Sequence, residues 1–72
     1  MADVPKKIRE LKSILKKAGF TLLKDRGKGS HTVWEHPNVN SNVILSGKDS
    51  KDAQKYHEKR VEEAIEEAEN NE

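Results

Sequence analysis

A basic segment of small residues, followed by a histidine, is the part of this 72-residue sequence best suited to chemistry: Gly27-Lys28-Gly29-Ser30-His31. Its glycines let the backbone approach a ligand without interference from a Cβ atom. Lys28, with Arg26 just upstream, can attract a phosphate, and a histidine exchanges protons near neutral pH. These groups meet the minimum for metal-independent RNA cleavage. The same pattern also occurs in hairpins that carry a histidine on the second strand.

RNA cleavage needs few protein groups, because the substrate's own 2′-OH is the nucleophile. We therefore expect His31 to exchange the proton, while Lys28 and Arg26 hold the phosphate. The backbone amides around Gly27 and Gly29 would add hydrogen-bond donors, and Ser30 completes the segment that contacts RNA.

A second acid or base is not identifiable from the sequence. His36, Glu35 and Ser30 are candidates, and Glu35 shares the face of His31 by the two-residue period of a strand. His31 and His36 are five residues apart and would point to opposite faces, while His57 lies on a later helix. The sequence therefore predicts no metal site and no cofactor.

Charge is distributed unevenly along the chain, although the formal net charge is only +1. Residues 1 to 31 carry nine Lys or Arg and three acids, whereas residues 32 to 72 carry five basic residues and ten acids. One end can bind a polyanion that the other repels. We expect RNA contacts from three lysines of the first helix, called here the α1 lysines: Lys12, Lys16 and Lys17.

Composition limits the chain to one small domain. Hydrophobic residues make up 32% and charged residues 38%, and there is no cysteine, so disulfides and thiolate metal sites are excluded. The sequence shows no signal peptide and no membrane-spanning run, which favours a cytoplasmic protein. We expect one domain over residues 1–72, with a disordered tail at residues 70–72.

Apolar spacing predicts a first helix from about Val4 to Ala18, with Asp3 as cap, Pro5 in the first turn and Gly19 as the left-handed residue that ends it. Its apolar stripe consists of Ile8, Leu11, Ile14, Leu15 and Ala18. A second helix is predicted to begin near Asp49 to Asp52 and to run to about Glu69. Its stripe consists of Ala53, Tyr56, Arg60 or Val61, Ala64, Ile65 and Ala68.

Three short strands are predicted between the helices: Phe20 to Lys24, Thr32 to His36, and Asn42 to Leu45 or Ser46. An antiparallel meander is the simplest topology, which gives an α+β fold in the order α-β-β-β-α. Two helices can cover only one face of such a sheet, and both faces carry apolar residues. The open face would be a partner interface or, if Trp34 lies there, a surface for base stacking; the alternative is that Trp34 is a core residue.

Taken in order, these features resemble the HicA family of small bacterial toxins, the mRNA interferases of toxin–antitoxin pairs. The motifs that carry the resemblance are the Lys-rich helix of residues 6–18 closed by Gly19-Phe20, then Gly29-Ser30-His31, His36-Pro37 and Gly47-Lys48-Asp49. The resemblance implies a double-stranded-RNA-binding-domain-like fold, a catalytic His31 and a HicB-like antitoxin partner. The acidic second helix departs from the family, in which that helix is often basic.

The sequence is thus interpreted as an endoribonuclease toxin that binds and cleaves mRNA by His-mediated acid–base catalysis. Two alternatives stay open. One is a non-catalytic RNA- or protein-binding module of the same fold, in which His31 only donates a hydrogen bond. The other is a domain that has lost activity and is sequestered by an antitoxin.

Overall fold

The computed structural model describes residues 5–23 and 31–70. Its elements are α1 (Ile8–Lys17), β1 (Thr21–Leu22), β2 (Thr32–Glu35), β3 (Val43–Leu45) and α2 (Lys55–Asn70). The strands form one antiparallel sheet in the order β1-β2-β3. The predicted α+β fold with α-β-β-β-α order is confirmed, and it is compatible with the double-stranded-RNA-binding-domain-like fold that the resemblance implies.

Helix α1 packs through the apolar stripe that the sequence predicts, because side chains three and four residues apart share one helix face. The buried or partly buried members are Ile8, Leu11, Ile14, Leu15 and Ala18. Gly19 follows the helix with a φ of 94°, a left-handed conformation that glycine adopts without steric cost. The helix therefore ends where predicted.

The start of α1 was predicted wrongly. Pro5 is not in the first turn, because the helix begins at Ile8 and the residues before it are extended. They are held there by pairing with the segment before α2, where the Ala53 amide donates to the Lys6 carbonyl at 2.7 Å. The predicted cap, Asp3, lies outside the described residues.

The strands are shorter than predicted at the ends that the structure describes, because flanking polar groups bond elsewhere; Lys24, the predicted end of the first strand, lies outside the described residues. The Phe20 amide donates to the Leu15 carbonyl at 2.9 Å and closes α1 instead of joining the ladder. His36 lies past the end of β2, and its Nδ1 accepts the Asn38 amide at 3.0 Å in the following turn. Before β3, the Asn42 carbonyl accepts a hydrogen bond from an arginine of α2.

Side-chain alternation divides the sheet into a helix-covered face and an open face. Trp34 and its register partner Val43 are buried on the covered face, with 1% and 0% exposure, while the neighbouring Ile44 is 57% exposed on the open face. The Trp34 indole Nε1 donates to Thr32 Oγ1 at 3.0 Å within the core. Trp34 is therefore a core residue, and the alternative that it stacks on a base is wrong.

Helix α2 begins at Lys55, later than the predicted start near Asp49 to Asp52. The segment before it cannot be helical, because its carbonyls cap α1. The carbonyls of Asp49 and Lys51 accept hydrogen bonds from the first two amides of α1, at 3.2 and 2.9 Å. The predicted start of α2 therefore belongs to the entry of α1 instead.

The buried stripe of α2 differs from the prediction by one residue in its first turn. Tyr56 is 60% exposed, and the buried position is His57, because spacings of four, three and four define the inward face. The buried side chains of α2 are those of His57, Val61, Ala64 and Ala68, with Ile65 partly buried. Asn70 still belongs to the helix, while residues 71 and 72 of the predicted tail lie outside the described part. Neither described helix is long and apolar enough to cross a membrane.

Candidate active site

His31 lies immediately before β2 and is exposed. Alternation from the buried Thr32 places it on the open face of the sheet, together with Val33 and Glu35. Both helices pack on the other face, so neither one covers this imidazole. His31 is therefore placed where a large substrate can reach it.

Other predicted RNA ligands belong to the basic segment, residues 26–30, that precedes His31. Arg26, Lys28, Gly29 and Ser30 all lie outside the described residues. They directly precede His31 in the sequence, which limits how far they can lie from it. Their assignment to phosphate and RNA binding stays a prediction.

The α1 lysines are not on the face that carries His31. They project from α1, which packs on the covered face, and Lys16 and Lys17 are exposed there. Lys12 Nζ forms an ion pair with Asp49 Oδ1 at 2.6 Å. Hydrogen bonding and charge from Lys12, followed by the charges of Arg9 and Lys16, hold the pKa of the Asp49 carboxyl below its usual value. Lys12 is thus partly neutralised.

His36 is removed from the His31 site. It follows β2 by one residue, about 16 Å along the strand from His31 at the usual rise per residue. Its Nδ1 is occupied by the Asn38 amide, and its ring lies 5.0 Å from the Phe20 ring. His36 is therefore a turn residue, whereas Glu35 shares the open face with His31.

His57 is a buried histidine whose contacts the sequence did not reveal. Its Nε2 lies 3.3 Å from Ser46 Oγ, and its Nδ1 accepts the Gln54 amide at 3.4 Å. An accepting Nδ1 requires the proton on Nε2, which then donates to Ser46. Burial, followed by the charge of Lys51, lowers the pKa of His57. In this tautomer His57 cannot take a proton from Ser46, so the pair is structural and not a nucleophile with its base.

The signal for a buried His57 was present in the spacing. Positions 57, 61, 64 and 68 form a helical stripe as regular as the one that includes Tyr56. Aromatic hydrophobicity favoured Tyr56, and only tertiary packing shows the rotation of the helix. Within residues 5–23 and 31–70, no three His, Asp or Glu side chains converge on a point that could hold a metal ion.

Comparison with known families identifies the class. A family model described as the HicA toxin of bacterial toxin–antitoxin systems matches residues 8–69. The chain therefore belongs to the HicA toxin family, and the suspected resemblance is confirmed. Comparisons with curated proteins and with solved structures found no match. Membership makes the chain the toxin component of a toxin–antitoxin system, with an antitoxin partner and an RNA target in general terms.

Proposed function

We propose that this toxin is a cytoplasmic mRNA interferase that cleaves mRNA by metal-independent acid–base catalysis at His31, and that a HicB-like antitoxin silences it. The observation that carries the proposal is the position of His31. It is the exposed imidazole on the uncovered face of the sheet, directly after a Gly-Lys-Gly-Ser segment. His36 is half-buried beside a turn, and His57 is buried in the core.

The chemistry asks little of the protein. The substrate's 2′-OH attacks the adjacent phosphorus and loses its proton, while the bond from phosphorus to the 5′-oxygen breaks and that oxygen gains a proton. His31 carries out one of these two proton transfers, and water carries out the other. Lys28 and Arg26 offset the charge that develops on the phosphate oxygens. One positioned general acid or base contributes about 10²- to 10⁴-fold to the rate.

An antitoxin can silence this site by covering it. The basic segment, residues 26–30, and the face of His31 would attract an acidic partner. That partner would associate fast and would block access to His31. The acidic α2 would repel such a partner and is expected to lie outside the contact. Its exposed acids include Glu62, Glu63, Glu66 and Glu69.

The test compares His31→Ala with His36→Ala. Purified proteins are incubated with messenger RNA in the presence of a chelator, and folding is checked by circular dichroism. We expect wild type and His36→Ala to cleave, and His31→Ala to fold normally but lose at least about 100-fold in rate. Equal cleavage by wild type and His31→Ala would reject the catalytic role. Activity lost on chelation would reject the metal-independent mechanism, and RNA binding without cleavage by wild type would favour a binding module.

A further inference from the structure

The outer edge of β3 exposes the backbone of one residue. The Leu23 amide donates to the Val33 carbonyl at 2.8 Å, so the polar groups of Val33 face β1. In an antiparallel ladder the direction alternates, so Trp34 faces β3 and bonds its register partner Val43. The amide and carbonyl of Ile44 must then point away from β2, onto the free edge of the sheet.

This edge lacks the features that usually prevent strand pairing. Exposed edges are normally protected by charges, proline or a covering element. Residues 41–46 have the sequence Ser-Asn-Val-Ile-Leu-Ser, with no charged residue and no proline. Arg60 of α2 donates to the carbonyls of Ser41 and Asn42, at 3.0 and 3.2 Å, which covers the backbone before the strand but leaves Ile44.

The opposite edge differs in two respects. Strand β1 has only two residues, and the sequence continues into Lys24-Asp25-Arg26, whose charges disfavour the addition of a strand. The backbone groups of Leu22 point outward at this edge, but its side chain lies on the covered face, because Leu22 pairs in register with Trp34. At the β3 edge, in contrast, the residue whose backbone groups point outward is Ile44, and its side chain is exposed on the open face.

The size of the edge indicates what occupies it. A second copy of the chain paired through β3 alone would share one hydrogen-bonded residue pair, far short of the roughly 1,000 Å² expected of a specific interface. A larger partner can add a strand and also cover the open face. That face carries Val33, Ile44 and His31, and the preceding segment is basic, which suits an acidic protein.

We propose that the antitoxin adds a strand to the β3 edge, bonding the amide and carbonyl of Ile44, and thereby lays its body over the open face that carries His31. This inference rests on the proposed antitoxin partnership. It specifies an extended, uncharged antitoxin strand with an apolar side chain against Ile44 and Val33. Acidic side chains elsewhere on the antitoxin would then pair with the basic segment that precedes His31.

Residue-resolved hydrogen exchange tests the bonding directly. The free chain and its complex with a co-expressed HicB-like antitoxin are compared by NMR. In the free chain the amides of Val43 and Leu45 should exchange slowly and that of Ile44 rapidly. In the complex all three should be slow, while α2 residues 60–69 are unchanged. An Ile44 amide that stays rapid in the complex, or protection confined to Leu22, would overturn the proposal.

Edge variants give an independent measurement. Ile44→Pro removes an amide that the internal ladder does not use, and Leu22→Pro is the matched change at the other edge. Ile44→Pro should weaken the complex at least about 10-fold, and Leu22→Pro should have little effect. Equal weakening of the complex by both variants would contradict strand addition at β3. Slow exchange of the Ile44 amide in the free chain, caused by self-association, would contradict it as well. The outcome is separate from the nuclease test, because a chain that does not cleave RNA can still show the protected Ile44 amide.

Discussion

The stability of this domain should depend on the protonation state of His57. The neutral imidazole connects the end of β3 to the start of α2, because Nε2 contacts Ser46 Oγ and Nδ1 accepts the Gln54 amide. A second proton would sit on Nδ1 and abolish that acceptor. It would also place a positive charge at the N-terminus of α2, where the helix dipole is already positive. His57 is 5% exposed, so water cannot compensate.

The sign follows from the lowered pKa. Burial, and then the charge of Lys51, move the pKa of His57 below 6.5 in the folded state, so the unfolded chain binds the proton more readily. This stability is present above about pH 6.5 and is lost as pH falls toward the folded-state pKa. The slope is at most about 1.4 kcal/mol per pH unit. A domain of this size has roughly 5 kcal/mol in total, so a loss of stability on acidification should be measurable.

Urea unfolding measured between pH 5 and pH 8 tests this. Trp34 is the only tryptophan and is buried, so its fluorescence reports unfolding. We expect wild type and the control His36→Gln to lose stability on acidification, and His57→Gln to lose clearly less. A His57→Gln protein with the wild-type slope, or a wild type that becomes more stable at pH 5 than at pH 7, would refute the assignment.

Three further predictions concern RNA binding and backbone strain. Lys28→Ala should weaken RNA binding, and so should a triple alanine variant of the α1 lysines. Each variant should also flatten the salt dependence of binding, by about one counterion for each phosphate that it no longer neutralises. An unchanged salt dependence in an anisotropy titration would exclude these residues from the RNA interface. Asp49→Asn should release Lys12 and tighten RNA binding, as the same titration would show; unaltered affinity would mean that Lys12 does not meet RNA. Gly19→Ala should lower the free energy of unfolding in urea by about 1–2 kcal/mol, because φ is 94° and the new Cβ would lie 3.3 Å from His36 Nε2. A decrease below about 0.5 kcal/mol would contradict this backbone strain.

Local patterns predicted the elements well and their starting points poorly. The α1 stripe, its end at Gly19 and the three-stranded meander all follow from periodicity and turn residues, which are local properties. The starts of α1 and α2 do not, because each depends on pairing between segments 40 or more residues apart. The carbonyls of Asp49 and Lys51 bond the α1 amides, and no local signal indicates that.

The candidate site was predicted in the same uneven way. The open-face position of His31 follows from strand alternation once Thr32 is buried. The burial of His57 was missed because hydropathy places Tyr56, the more apolar aromatic residue, on the inward face of α2. The structure shows the helix rotated so that His57 faces inward. The pairing of Lys12 with Asp49 needs the β3–α2 segment folded back on α1, which only tertiary structure supplies.

The separation of His31 from the α1 lysines has a consequence for how the protein meets RNA. His31 and the α1 lysines lie on opposite sides of the sheet, so one phosphate cannot contact both groups. If His31 cleaves RNA as proposed, the cations beside the reacting phosphate must come from outside α1, and the α1 lysines would bind RNA elsewhere along its length. An antitoxin that adds a strand at Ile44 would block the first surface and leave the second exposed. The two proposals together therefore predict a complex that still binds RNA but does not cleave it.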